Sequence, residues 1–326
     1  MELNYIWIQW LFFFYFYCFF GWCFESSYVS IKERKPVNRG FMRGPFLPLY
    51  GTGALMMLIV SAPFRDNLFL TYIAGCIGAT VLEYVTGVVM EALFRVRYWD
   101  YSDQPFNFQG HICLGSSLAW GGLTILMTRV IHQPIENFVL AIPEGILTMI
   151  TMVLSIGIAA DFTLSFKAAM DLRDVLIRME EAKKEMQHLQ KRLDVLIALS
   201  EQAKEERKAD RESRREGLAA QMKARVGGLT DYVEIHMGEL TEYMEDRFTR
   251  LKEKLSLGEL SEEWRDELQE IKEKFHLQEE RRFTLSHQRN FQFRAILKGN
   301  PTLRSEKFKE ALEELKEAVG EYKKRD

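Results

Sequence analysis

Glu83 lies near the middle of an apolar run at 68–94, with Gly87 and Glu91 one and two helical turns further along the same face. A carboxylate near the centre of a bilayer costs on the order of 3 kcal/mol. Residues kept there at that cost line solute pathways or proton-linked sites, and this is the chemistry expected of Glu83 and Glu91. The competing reading is a protonated Glu83 bonded to a neighbouring helix that packs closely on Gly75, Gly78 and Gly87. Glu25, at the inner end of the first apolar run, joins the set either as a pathway carboxylate or as a partner for Arg39 or Arg43 at the water interface.

A second kind of chemistry belongs to the stretch VNRGFMRGPFLPLYGTG at 37–53, between two apolar runs. Arg39 and Arg43 stand four apart beside Gly40, Gly44, Pro45, Pro48, Gly51 and Gly53. Free backbone N–H groups with two guanidiniums suit an anion such as a phosphate, carried by a lipid headgroup or by a solute. The alternative is that the arginines only anchor the loop and the glycines only pack helices. A re-entrant turn near 40–53 is a further reading. The stretch RVRYWDYSDQPFNFQGHICL holds Asp100, Ser102, Asn107 and Gly110, which suit local turns before the next apolar run. His111 stands alone, so no metal site is expected.

The elements that must position these residues follow from composition. Residues 1–161 hold 9 Lys+Arg and 11 Asp+Glu, while 162–326 hold the remaining 34 and 35. An apolar, charge-poor half precedes a densely charged, nearly neutral one, as in a membrane domain (1–161) followed by a soluble tail (162–326). A balanced tail excludes a basic nucleic-acid arm. The four cysteines, Cys18, Cys23, Cys76 and Cys113, form no C-x-x-C pair and read as packing residues.

About 20 apolar residues cross a bilayer as a helix. Five runs qualify, near 5–24, 46–63, 68–94, 112–131 and 139–161. The first lacks a basic leader and a cleavage site, so it is expected to be retained. The third, about 40 Å long at 1.5 Å per residue, is expected to tilt or overshoot. With five spans, the loops at 25–45 and 95–111 share a side with the tail. They carry Lys32, Arg34, Lys35, Arg39, Arg43, Arg95 and Arg97, against Arg65 and Arg129 opposite. The positive-inside rule places the N-terminus outside and the tail in the cytoplasm. The two loops then form one inner mouth.

In the tail, Leu172, Met179, Met186 and Leu193 alternate with Val175, Ala182, Leu189 and Leu196 in a heptad over 172–196. This is a coiled-coil seam, filled either within the chain or by a second copy. Gly227-Gly228, Gly258 and Gly299-Asn300-Pro301 break the helical pattern, and Ser261 reads as an N-cap. Helical stripes run through Leu229, Val233, Met237, Leu240, Met244, Phe248, Leu251 and Leu255, then Trp264, Leu268, Ile271 and Phe275. A last stripe from about 305 holds Phe308, Leu312, Leu315 and Val319. Arg281, Arg282, Arg289, Arg294 and Lys298 interleave with Phe283, Phe291 and Phe293, favouring a solvated basic face with buried phenylalanines over an RNA or membrane patch. The fold expected is all-α, a five-span membrane domain with a helical, coiled-coil tail.

The blocks GWCFESSYVSIKERKPVNRGFMRGPFLPLYGTG and YWDYSDQPFNFQGHICLGSSLAWG resemble the CmpB family of putative ABC transporter permeases, also called putative ABC-transporter type IV. The first block carries Gly21, Trp22, Glu25, Asn38, Arg39, Gly40, Gly44, Pro45, Pro48, Tyr50 and Gly51. The second carries Trp99, Asp100, Tyr101, Ser102, Asn107, Gly110, Cys113, Trp120 and Gly121. The segment RAILKGNPTLRSEKFKEALEELK is similar to the family's C-terminal pattern, with Gly299 and Asn300 departing from it. The resemblance implies a multi-pass bacterial cell-membrane protein and adds Asn38, Tyr50, Trp99 and Tyr101 to the inner-loop set. No phosphate loop of the Walker type, H-E-x-x-H or G-x-S-x-G motif is present. The function expected is transport-related, with no ATPase and no catalysis of its own, and no cofactor. The expected partners are the lipid bilayer, a separate ATPase subunit and further copies of the chain through the coiled coil. The alternative is a membrane-anchored coiled-coil scaffold or sensor without transport. A lipid-acting enzyme with Glu25 or Asp100 as base lacks a paired nucleophile.

Overall fold

The computed structural model describes residues 4–213, 237–256, 262–286 and 291–325. The elements are α1 (Trp7–Glu33), α2 (Pro48–Ser61), α3 (Leu68–Phe94), the strands β1 (Asn107–Phe108) and β2 (Ile112–Cys113), α4 (Leu114–Leu126), α5 (His132–Leu140), α6 (Glu144–Ser213), α7 (Met237–Ser256), α8 (Glu262–Ser286), α9 (Phe291–Gly299) and α10 (Lys309–Arg325). The protein is all-α apart from the antiparallel pair β1–β2, in which Asn107 faces Cys113. The chain divides into two compact units, Met1–Ile177 with Gln288–Asp326, and Arg178–His287. The composition shift near 161 therefore does not coincide with the edge of a compact unit, and the last residues return to the first unit.

Among the described residues four helices, not five, are long and apolar enough to cross a membrane: Trp7–Glu33, Leu68–Phe94, Leu114–Leu140 and Glu144–Leu199. The expected second span at 46–63 is the exception. Pro48, which lacks an N–H and presets φ, opens α2 at its first position. The helix runs for 14 residues, about 21 Å at 1.5 Å per residue, and gives way to a 3-10 turn at Ala62–Phe64. Asn67 then caps α3, its Oδ1 accepting from the amides of Phe69 and Leu70. The hydropathy run was right, but the backbone at 40–47 that precedes it is not helical.

One arrangement occurs twice. α1 and α3 each have 27 residues, and each ends on an arginine in the left-handed region, Arg34 (φ 51°) and Arg95 (φ 62°). Each is followed by a loop that folds back along its own helix, and then by a helix that starts beside it: α2, of 14 residues, or α4, of 13, which runs on through a π-helical turn and α5 to Leu140. The first loop returns until the Leu47 amide bonds the Cys18 carbonyl at 3.1 Å. That point lies fifteen residues before the end of α1, about 22 Å along its axis. The second loop returns until Tyr101 reaches Glu83, eleven residues, or about 16 Å, before the end of α3.

The membrane core packs Ile8, Phe13 and Tyr17 of α1 against Ala54, Met57 and Leu58 of α2, with Ala79, Met127, Val139 and Leu147. α1 and α2 approach so closely at Gly51 that a Cβ there would lie 2.4 Å from Cys18 Sγ and 2.7 Å from the Phe14 carbonyl oxygen. The carbonyl belongs to a helix backbone and cannot yield. Gly51→Ala is expected to cost about 1–3 kcal/mol by overpacking, read as a lower melting temperature in detergent.

In the second unit, Met186, Leu189, Leu193, Leu196 and Ile197 of α6 are buried against Leu240, Met244 and Phe248 of α7 and Leu268, Ile271 and Phe275 of α8. Tyr243 donates to Asp194 at 2.7 Å and Arg192 to Glu267 at 3.0 Å. The C-terminal part of the heptad seam is thus filled within the chain. Among the basic and aromatic residues at 281–298, Arg281 and Lys298 are exposed as expected, but Arg282 is buried and donates to the Met179 carbonyl, while Phe283 is 60% exposed. Gly227-Gly228, Leu229, Val233, Gly258, Ser261 and Arg289 lie outside the described residues, as do the side chains of Met237, Leu251, Leu255, Trp264, Phe291 and Phe293.

Candidate functional site

The first loop is held to α1 by short polar side chains. Val37 N donates to Ser30 Oγ at 2.9 Å, Arg39 N to Ser26 Oγ at 3.1 Å, and Trp22 Nε1 to Asn38 Oδ1 at 2.5 Å. Asn38 closes the loop on itself by donating to the Arg43 carbonyl. Gly40 sits at φ 133°, a backbone conformation that favours glycine. α6 holds the far side of the loop, with Ser165 Oγ accepting from Arg43 N (3.2 Å) and Asp161 from Gly44 N (2.9 Å). Pro45 lies just before the Phe46–Leu47 turn into α2.

The second loop is a knot of turn residues. Asp100 accepts from Ser102 N and Oγ, and Asn107 donates to the Ser102 and Gln104 carbonyls while accepting from Gly110 N. Gly110 takes φ 71°, hemmed in by Ser102 and Asp100. Trp99 Nε1 donates to the His111 carbonyl at 3.0 Å.

These loops bring the expected carboxylates into defined surroundings. Glu83 is 5% exposed and accepts from Tyr101 OH (3.0 Å), Trp120 Nε1 (3.0 Å) and Ser116 Oγ (3.3 Å). Glu25 accepts from Tyr50 OH at 2.7 Å and has Arg39 Nε at 3.6 Å. Each carboxylate thus has its own tyrosine donor. Burial, then the Glu83 carboxylate, push the Tyr101 phenol well above its usual range. Tyr50 in turn lies within electrostatic reach of Tyr101.

Glu91 stands apart, with Arg97 Nε at 2.8 Å and His111 Nε2 at 3.2 Å. His111 also covers Gly87. The Glu83–Gly87–Glu91 face is therefore covered along its length by the second loop and α4. Arg39 and Arg43, read from sequence as one anion site, diverge. Arg39 donates to Asn300 Oδ1 (2.8 Å) and the Tyr98 carbonyl (3.0 Å). Arg43 lines a different pocket, of about 350 Å³, with Ser165 and Lys298, and its Nε and Nη2 are buried without a hydrogen-bond partner.

A cavity of about 270 Å³ lies beside Glu25. Glu25, Arg39, Gly40, Pro48, Tyr50, Tyr98, Trp99 and Asn300 line it together with apolar side chains of α2, α3 and α6. Residues 300–306 close it from the tail side as a strap across both loops. Asn300, 1% exposed, donates to the Gly40 carbonyl at 2.9 Å. Arg304 pairs backbone to backbone with Arg97, and its guanidinium meets Asp100 (3.2 Å) and Asp103 (3.1 Å). Ser305 Oγ donates to the Arg95 carbonyl at 2.7 Å.

Sequence reasoning missed Tyr98, Asn300, Arg304, Ser116 and the His111–Glu91 pair as parts of the site. It also missed a polar cluster at the opposite end of the unit. There fully buried His132 lies between Tyr17 OH (2.7 Å) and Tyr5 OH (3.1 Å), and Tyr5 also donates to Glu136. A π-helical turn at Met127–Ile131 leads into it. The available signal was polar residues inside apolar runs, which marks Glu83 but not its donors. Among the described residues no group of side chains could hold a metal ion.

Burial pushes the Asp100 carboxyl up, but Ser102, Arg304 and Arg97 outweigh it and hold it below the usual carboxylate range. A depressed carboxylate contributes stability that is full above its unfolded value and fades as pH falls through its folded one. The strap is therefore expected to hold at neutral pH and to loosen below the ordinary Asp value of about 4. Faster amide exchange at 300–306 in acid, after correction for the intrinsic rate, is the measurement.

Residues 12–166 match the family model ABC_trans_CmpB, described as putative ABC-transporter type IV. The matched region holds both loops and both carboxylates and ends before the strap. No curated protein and no solved structure matches the chain.

Proposed function

Residues 12–166 match the putative ABC-transporter type IV family, and from that premise we propose that the chain is the membrane-embedded subunit of a transport system whose ATP hydrolysis is supplied by a separate protein. The observation that carries this reading is a pair of carboxylates, Glu25 and Glu83, on two long apolar helices, each held by a tyrosine, Tyr50 or Tyr101, with a cavity beside Glu25. Transporters built from repeated helical units place their sites at the junction of the repeats, where helices are interrupted. Here α2 and α4 start part-way along the long helices, and the two carboxylates lie where they start.

In this reading Glu83 and Glu25 face the pathway, Glu91 orients the second loop, and the loops with the strap form the inner mouth. The first loop, folded back to Cys18, and α2 together return the chain along α1 toward the side of the N-terminus, so the N-terminus lies outside and the tail in the cytoplasm of a bacterial cell membrane, following the arginines and lysines of the two loops. Copies associate through membrane faces, because the seam at 186–196 is already filled. The chain itself carries no catalytic reaction.

A second reading, a membrane-anchored scaffold, draws on Val195, Leu277 and Phe283, large apolar side chains exposed on the second unit. One experiment separates the two: purification of the full chain from its own membrane in mild detergent, with mass spectrometry of what accompanies it. A stoichiometric nucleotide-binding subunit is the result expected for transport. A soluble client without one would establish the scaffold.

A further inference from the structure

The cavity beside Glu25 differs from the polar clefts around the strap in what lines it. Its walls are Phe41, Leu47 and Leu49 on one side and Met90, Phe94 and Phe166 on the other. Its polar groups gather at one end, where Glu25 and Arg39 stand 3.6 Å apart. That separation is an ion pair without a close hydrogen bond, so both groups keep capacity for a polar group set beside them. Tyr98, 5% exposed, lines the same cavity, and its hydroxyl has no hydrogen-bond partner. A buried hydroxyl left unpaired costs about 1–3 kcal/mol, which a ligand oxygen would recover.

The direction of access also follows from the lining. Asn300 and the strap close the end nearest the tail. Leu93 of α3 and Phe162 of α6 line the cavity too, yet they are 39% and 45% exposed. Both lie on the apolar outer faces of helices long enough to span. Phe41, Phe94, Phe162 and Phe166 meet edge to face or tilted, 5.4–6.2 Å apart, as a closure of aromatic rings between them. The opening thus lies on the outer face of α3 and α6, at the loop-side ends of their apolar stretches.

We propose that this cavity takes one chain of a membrane phospholipid from the bilayer, with the lipid's polar group set beside the Glu25–Arg39 pair, where the Tyr98 hydroxyl also lines the cavity. Apolar walls with a few convergent polar groups are the usual make-up of such sites. Glu25 and Arg39 neutralise each other, so a group with an added net charge would find no counter-charge there. A zwitterionic lipid fits, and phosphatidylcholine is the probe. The inference rests on the transport reading for its meaning, since it names the substrate class, but not for its test.

The purified full chain, reconstituted in phosphatidylcholine nanodiscs, is extracted into detergent, washed and weighed by native mass spectrometry. One retained phosphatidylcholine per chain is expected. Leu49→Phe and Met90→Phe fill the cavity and are expected to lower retention about tenfold. Tyr98→Phe is expected to lower it less, with an unchanged melting temperature. Where a filling variant melts lower than the unaltered chain, Leu93→Phe narrows the bilayer-facing lip with no core clash and carries the same expectation. No retained lipid, or retention unchanged in the filling variants that fold, overturns the assignment. Retention of laurate supplied from water in place of phosphatidylcholine overturns the bilayer source. Binding is read without any ATPase, so lipid held without transport would reject the transport reading alone, and transport without lipid would reject the cavity alone.

Discussion

Glu83→Gln is expected to abolish transport while leaving the membrane unit within about 1–2 kcal/mol of the unaltered chain, and Glu83→Ala to lose both. The difference lies in the three donors, Tyr101, Ser116 and Trp120, that converge on this carboxylate. A carboxylate has two oxygens and only accepts, so it can satisfy all three. Glutamine keeps the volume and one accepting oxygen but removes the charge. Alanine leaves Tyr101 and Trp120 without an acceptor in a buried site, at about 1–3 kcal/mol for each orphaned group, and opens a void. Ser116 is less affected, because its hydroxyl also lies 3.0 Å from the Cys113 carbonyl. Melting in detergent and substrate flux at matched expression are the two readouts. Full flux in Glu83→Gln would remove this residue from the pathway and leave it a packing role only.

Arg39→Ala is expected to release the strap. This one side chain joins four parts of the unit: Glu25 on α1, its own loop, the Tyr98 carbonyl of the second loop and Asn300 of the strap. Its removal strips a charge-assisted bond from the Asn300 amide and from Tyr98 O, and takes the only cation within ion-pair distance of Glu25 among the described residues. Charge-assisted hydrogen bonds contribute about 1.5–3 kcal/mol each, so a loss of about 2–4 kcal/mol is expected at the strap. That predicts amide exchange at 300–306 faster by about 30-fold or more, at tenfold per 1.4 kcal/mol. Arg39→Lys keeps the charge but not the planar fork that reaches two acceptors at once, and should fall between. Exchange at 300–306 unchanged in Arg39→Ala would mean that the Arg97–Arg304 pairing alone holds the strap.

Where the sequence signal is local and periodic, it located the elements well. The apolar run at 68–94 coincides with α3, and the heptad positions from Leu172 to Leu196 are all buried. The turn residues Asp100, Ser102, Asn107 and Gly110 make the short-range bonds that their types suggest. The glycines and prolines at 40–45 did mark a non-helical backbone path ahead of α2, Gly40 takes a backbone conformation that favours glycine, and Gly51 fills a place where no side chain fits. Hydropathy failed at the second span because it measures apolar content, not where a helix begins. Pro48 sets that beginning only once Leu47 is bound to Cys18.

By itself the sequence determined that this is an all-α chain with long apolar helices, a charged helical tail, buried acidic residues and two irregular loops. Each of these depends on residue type and on contacts a few positions apart. Only the tertiary structure decided that the loops fold back beside their own helices, that Glu83 is met by Tyr101 and Trp120, and that Arg39 and Arg43 part company. It alone joined Arg39 to Asn300, 261 positions away. Such pairs leave no period in the chain, because their partners are chosen by how packed helices bring distant backbone together, and a polar residue in an apolar run shows that a partner is needed without showing which one.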